Sequence, residues 1–402
     1  MINDEQRELI HGGDIYSVFE MDPSAKDVLV DFSANISPLG MPDFVSEAVI
    51  RELCGAAHYP DPKARRLKDA ITGAFWKLYD TQLLREWIFC GNGAADVIYR
   101  WVLAKKPKRA LVCAPTFAEY EEALALSGAK LEFYMCPGES LEVREDILEA
   151  LHPGLDGMFL CNPNNPTGLL IAPGLLEQII VKTKEMGVFL VMDECFLDFV
   201  DNEKKFSVIP RLSHNKHILV LKSFTKMYGM AGLRLGYGLC ADPALIQAME
   251  RCGQPWPVST AAESAGVAAL SDLKYPETVR RVVDQERNYL MDAFSALGIH
   301  FWNSQANYIL IELPHLADFY DQMLAEGILV RRCANYRNLS SGHYRVAVNS
   351  HENNVRLTAA LEKILGNTLR VFNYGVEGTP SRGNTLRVYH YGVKSTPNRG
   401  KE

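Results

Sequence analysis

Seven short apolar runs, at 87–90, 110–113, 130–134, 157–161, 188–192, 218–221 and 236–240, punctuate the middle of this chain. Most are apolar without alternation, which is the pattern of strands covered on both faces. Amphipathic segments lie between them at 94–105, 117–127, 173–186 and 243–252. Another precedes them at 63–79, where Leu67, Ile71, Phe75 and Leu78 share one helical face. Strand–helix alternation of this kind predicts an α/β fold with a doubly wound, mostly parallel sheet and helices on both sides. Such sheets bind ligands at the carboxyl ends of their strands, so the loops there are the place to look for chemistry.

The alternation stops near residue 280. A long amphipathic segment at 275–297 reads as a connecting helix, followed by strands near 308–312, 327–331 and 344–348 and a helix at 353–365. The expected organisation is a large domain over 46–280 and a smaller α+β domain over 281–365. The segment 1–45 carries little helix signal and is expected to join the small domain or cover the cleft. In the tail, 366–402, the stretch 366–382 recurs at 383–399, matching at 12 of 17 positions. Two copies are too few for a stacked array. The repeat reads as a loosely ordered addition, with a short partner-binding appendage as the alternative.

Composition narrows the function classes. Net charge is −7, so no overall basic field draws the chain to nucleic acid or anionic membranes. No run approaches the ~18 apolar residues of a membrane span. The start, MINDEQRELIHGGD, is too polar for a secretory signal, and with the cysteine usage below a cytoplasmic protein is expected. The nine cysteines form no C-x-x-C pair, so they are expected to be reduced, small apolar side chains, and no metal site is expected.

Five strand-end loops carry reactive residue types. SFTKMYGMAGLRLGYG (223–238) supplies Lys226, with the hydroxyls of Ser223 and Thr225 nearby and Arg234 eight residues on. Hydroxyls and a guanidinium suit a phosphate, and a desolvated lysine near cations forms Schiff bases readily. DECF (193–196) offers Asp193 as a metal ligand, base or cation partner, or simply as a helix N-cap. Asp198 reads as a turn or surface residue. CNPNNPTG (161–168) is forced into an irregular loop that can hold the Asn165 amide rigidly at the cleft. CGNGAADVIYR (90–100) is a glycine loop opening a helix, either a plain turn or an anion nest, and it matches no nucleotide-binding fingerprint. APTFAEY (114–120) places Phe117 where it either joins the core or stacks on a ring. Taken together, these groups suit a planar, cationic, phosphorylated ring that forms an imine, which is pyridoxal 5′-phosphate.

The ordered set NPNNPTG, DE-x-F, S-F-x-K and G-x-R-x-G resembles the fold-type I pyridoxal-phosphate enzymes of the class I/II aminotransferase superfamily, over roughly 10–365. Within it the chain is similar to histidinol-phosphate aminotransferases. It is more similar to the threonine-phosphate decarboxylases of cobalamin biosynthesis, through HGGD (11–14), DFSANISPLGMP (31–42), APTFAEY (114–120) and VRRCANYRNLSSGHYRVAV (330–348).

The resemblance implies a role for each residue. Lys226 carries the cofactor as a Schiff base, Asp193 pairs with its pyridine nitrogen, Asn165 bonds its phenolic oxygen and Phe117 stacks on its ring. Gly93, Ala94, Ala95, Ser223, Thr225 and Arg234 surround its phosphate, and Tyr59 of HYPDP reaches it from a neighbouring subunit, so a homodimer is expected. Phe196 stands where many relatives have a tyrosine, and it lacks the hydroxyl that contacts the phenolic oxygen. Arg331 and Arg345 clamp the substrate's anionic ends, with Arg332 turned to the other face. His11, Gly12 and Asn35 contact the substrate phosphate. The implied reaction is decarboxylation of phosphothreonine, with phosphoserine, one methyl smaller, as a neighbouring substrate that a pocket distinguishes by only ~1–3 kcal/mol. A histidinol-phosphate-type aminotransferase is the alternative; a ligand-sensing regulator, which would be expected to carry a DNA-binding segment ahead of this fold, fits less well with the short N-terminus before the match and the negative charge.

Overall fold

The computed structural model describes residues 11–316 and 318–374. Its main sheet has seven strands, in the spatial order Ile88–Gly91, Gly236–Leu239, Ile218–Ser223, Phe189–Asp193, Gly157–Cys161, Arg109–Ala114 and Lys130–Met135. Only Gly236–Leu239 runs against its neighbours; the other pairings are parallel. This is the mostly parallel α/β sheet that the apolar runs predict. The strands Gly157–Cys161, Phe189–Asp193 and Ile218–Ser223 are buried at every position, which is why their sequences do not alternate. Lys130–Met135 lies at the edge and is partly exposed.

The helix Gly93–Lys105 is pinned to this sheet by Trp101. The Trp101 ring is fully buried and meets Phe159 edge-on at 5.3 Å and Phe189 at 5.4 Å. Room for it exists because residue 157 is glycine: a Cβ there would lie 2.7 Å from the indole. The helix therefore has a fixed height above the sheet, and so does its N-terminus at the strand ends.

A 22-residue helix, Tyr275–Ala296, runs unbroken through position 281, where the sequence suggests a domain boundary. Beyond it a four-stranded antiparallel sheet forms in the order Arg331–Arg332, His343–Ala347, Tyr308–Glu312, His300–Phe301. The strand expected at 327–331 is two short pieces, Ile328–Leu329 and Arg331–Arg332, and the first pairs in parallel with Val30–Asp31. That pairing fastens the N-terminal segment to the C-terminal part of the chain.

The N-terminal segment itself corrects the sequence reading, because it contains the helix Ile15–Met21 and a 3-10 turn at Pro23–Asp27. Periodicity misses a seven-residue helix with one buried residue, Val18; its start is set by Asp14, which accepts the Ser17 N–H at 3.1 Å. The last helix, His351–Tyr374, extends past the expected end, so the opening of the duplicated segment continues it. The rest of the repeat lies outside the described residues. All nine cysteines are free thiols, seven of them buried. No helix among the described residues is long and apolar enough to cross a membrane.

Candidate active site

A cavity of about 630 Å³ opens at the carboxyl ends of the central strands. Its floor is built from the sheet. Its upper wall comes from the N-terminal segment and the small antiparallel sheet, which contribute His11, Gly12, Asn35, Arg331, Tyr336 and Arg345.

Lys226 sits in the short helix Phe224–Met227, directly after the strand Ile218–Ser223. The Ser223 hydroxyl accepts the Thr225 N–H at 3.2 Å and starts that turn. The lysine is enclosed in the cavity floor, with its Nζ 5.8 Å from the centre of the Phe196 ring. Burial, followed by the nearby Arg345 and Arg234 charges, lowers its pKa to about 8. Asp193 ends the adjacent strand. One of its oxygens accepts the Tyr120 hydroxyl at 2.6 Å and the other the Cys195 N–H at 2.9 Å. The carboxylate is therefore fixed at the cavity and does not cap a helix.

The two asparagines of NPNNPTG divide the work. Asn164 is spent on the loop: it accepts from Thr116 at 2.8 Å and donates to the Pro115 carbonyl and Thr167. Asn165 lines the cavity and accepts from the Arg345 guanidinium through Oδ1, which leaves its Nδ2 as the available donor.

At the other end, Ala94, Ala95, Ser223, Thr225 and Arg234 converge. Asn92 makes no side-chain cap at the helix start, so first-turn N–H groups remain available there. Gly93 has φ +82°, and a Cβ on it would lie 2.8 Å from Arg234 Nη2. A Cβ on Gly236 would lie 2.4 Å from the Ala94 nitrogen. Only glycine at both positions lets the guanidinium and the helix start close into one anion cradle.

In the small sheet Arg331 stands opposite Arg345 in register. Both are buried and line the cavity. Arg345 also donates to the Ser33 carbonyl at 2.9 Å. Arg332 alternates outward and lies over the Tyr320 ring at 4.0 Å. The Asn35 Oδ1 is buried without a protein partner and faces this same space.

Phe117 lines the wall and meets Tyr120 edge-on at 5.6 Å. Phe196 packs edge-on against Tyr308 at 4.9 Å, but the Tyr308 hydroxyl is committed to the Asn164 carbonyl at 2.9 Å and does not replace the missing tyrosine. Tyr59 lies outside the cavity, 79% exposed and stacked on Trp256 at 4.3 Å.

Sequence reasoning missed Tyr120, whose only signal was its place in APTFAEY, and Ser33, Tyr336 and Cys161, which complete the lining or its contacts. Asp198 lies in the 3-10 turn Leu197–Phe199, in keeping with its reading as a turn residue, and it is also the ion-pair partner of the buried Lys222.

Residues 27–364 match the family described as aminotransferase class I and II. The chain is 39% identical to a threonine-phosphate decarboxylase of Salmonella typhimurium, over 88% of this chain and 96% of that one. It is 31% identical to a histidinol-phosphate aminotransferase of Symbiobacterium thermophilum, over 84% and 91%. Among solved structures it is similar to the histidinol-phosphate aminotransferase from Clostridium acetobutylicum, with a TM-score of 0.78, 26% identity, and 84% of this chain and 100% of that one covered.

Proposed function

The chain belongs to the class I and II aminotransferase family, and from that premise we propose that it is a pyridoxal phosphate-dependent decarboxylase of O-phospho-L-threonine. The products are carbon dioxide and 1-amino-2-propanol phosphate. The observation that carries the reading is the buried pair Arg331 and Arg345, in register above Lys226 in one cavity. Two fixed guanidiniums suit a substrate with two anionic ends, here a carboxylate and a phosphate. The 39% identity to a named decarboxylase supports the same choice.

The residues fit the cofactor. The Gly93–Gly236 cradle with Arg234 suits its phosphate, Lys226 its aldehyde, and the fixed Asp193 carboxylate a cationic ring nitrogen. Asn165 Nδ2 suits the ring oxygen, and Phe117 supplies an apolar face. Bound pyridoxal phosphate supplies an electron sink for the bond that breaks at the substrate's α-carbon.

The chain's own side chains do the rest. Arg331 and Arg345 hold the anionic ends, and so decide which bond at the α-carbon is presented for cleavage. Lowering the Lys226 pKa from 10.5 to about 8 gives roughly 300-fold more free amine at neutral pH than an ordinary lysine. The same amine can hold a proton and return it to the α-carbon after carbon dioxide leaves. Tyr59, exposed on its own chain, is proposed to complete the cradle of a second copy in a homodimer.

Purified, cofactor-loaded protein is expected to release carbon dioxide from phosphothreonine with no keto acid present. Phosphoserine, lacking one methyl, is expected to react more weakly. Glutamate formation from histidinol phosphate and 2-oxoglutarate, without gas from phosphothreonine, would overturn this reading in favour of the aminotransferase that other relatives represent.

A further inference from the structure

A carboxylate stands immediately behind the wall of a cavity argued above to take an anionic substrate. Glu119 opens the helix Glu119–Leu126, and its Oε1 lies 3.1 Å from Nε2 of the cavity-lining His11. Its other oxygen accepts the Tyr99 hydroxyl at 2.9 Å. Tyr99 belongs to the helix Gly93–Lys105, whose first turn forms the anion cradle. An isolated negative charge here would repel a phosphorylated substrate, so its placement needs a reason.

We propose that Glu119 is a positioning residue for the substrate phosphate, holding the His11 ring across the cavity mouth while Tyr99 braces Glu119 from behind. His11 sits on the N-terminal segment, which docks by close backbone contact. The Gly13 N–H donates to the Ser33 hydroxyl at 2.7 Å, and a Cβ on Gly12 would lie 2.1 Å from the Ser33 carbonyl oxygen. That contact fixes the backbone but leaves the imidazole half-exposed, and Glu119 is its one polar partner among the described residues. With the Nε2–H given to the carboxylate, Nδ1 is the nitrogen left for the cavity, and it donates to a phosphate oxygen when the ring carries both protons. The His11 hydrogen bond holds the Glu119 carboxyl below its usual range, so the acid stays ionised. Charged groups nearby among the described residues include Glu122, on the same helix as Glu119 and within electrostatic reach of Tyr99, Asp31, which lines the cavity and accepts the Ser33 hydroxyl, and Arg345, whose Nη2 lies 3.1 Å from a Cβ position on Gly12.

The inference rests on a phosphorylated substrate, and steady-state kinetics of the cofactor-loaded full chain on phosphothreonine test it. Glu119→Gln is expected to raise KM on the order of tenfold, the effect of losing a charge-assisted hydrogen bond, with a smaller change in kcat. Glu119→Asp should recover part of the loss, and Tyr99→Phe should raise KM less. In a His11→Ala background, Glu119→Gln should add nothing, because its effect passes through the imidazole. A lowered or unchanged KM in Glu119→Gln would overturn the proposal, and so would a full effect persisting without His11. If the wild type does not turn over phosphothreonine, the decarboxylase reading is what fails. The same variants are then measured on histidinol phosphate, where the same KM pattern is required of its phosphate.

Discussion

Replacing Glu194 by glutamine tests the claim that the second acid of DECF is a buried support whose ionisation its surroundings oppose. Glu194 is fully buried; it accepts the Val208 N–H at 2.7 Å and the Ser207 hydroxyl at 2.8 Å. Burial pushes its pKa up to about 7 from 4.5, against the pull of Lys222 and those two hydrogen bonds. The folded state thus binds this proton more tightly than the unfolded chain. The resulting stabilisation is complete below pH ~4.5, falls as pH rises, and is gone above the folded pKa. A shift of this size corresponds to about 3 kcal/mol across that window. Glutamine can accept from Val208 and donate to the Ser207 hydroxyl, so it keeps both contacts with no proton to lose. Urea unfolding of cofactor-loaded wild type and Glu194→Gln, in steps from pH 4.5 to 8, isolates the effect as the difference in stability. The variant should gain on the wild type steadily up to about pH 7 and then run parallel to it. Parallel curves throughout, or a wild type that gains on the variant, would refute the burial argument.

Two further outcomes follow from the cofactor site. Gly93→Ala places a methyl 2.8 Å from Arg234 Nη2 on a backbone with φ +82°, so affinity for pyridoxal phosphate, read by fluorescence titration, should fall about tenfold or more while the far-ultraviolet circular dichroism is kept. Borohydride treatment should fix the cofactor to Lys226 in the wild type and to no residue in Lys226→Ala; peptide mass spectrometry that finds the label on another lysine would remove the basis of the assigned site.

Legibility in the sequence followed the range of the forces involved. The central strands could be read because burial on both faces leaves an unbroken apolar run, and the residues at their ends, Asp193, Asn165 and Lys226, could be read because loop position follows from strand position. Tyr120 could not, since its hydroxyl matters only once a helix and a strand set it 2.6 Å from a carboxylate 73 residues away. The pairing of Val30–Asp31 with Ile328–Leu329 joins distant segments and leaves no local period to detect. Lys222 interrupts an apolar strand and looks like a solvated edge residue. It is buried instead, because Asp198, from the loop after the neighbouring strand, reaches it as a counter-charge. The short helix at Ile15–Met21 was hidden for the opposite reason, as its start depends on a single capping aspartate.

The site draws on both sheets, and Arg345 joins the halves. The cradle, Asp193 and Lys226 sit at the strand ends of the main sheet, and on the proposed function they serve decarboxylation and transamination alike. Arg345 comes from the small antiparallel sheet, yet it reaches Asn165 and the Ser33 carbonyl, and after burial it is the largest influence lowering the Lys226 pKa. If the proposed substrate seats an anion on Arg345, that positive charge is offset and Lys226 binds a proton more readily. On the proposed function, gripping the substrate and making the lysine a better proton carrier would be one electrostatic event.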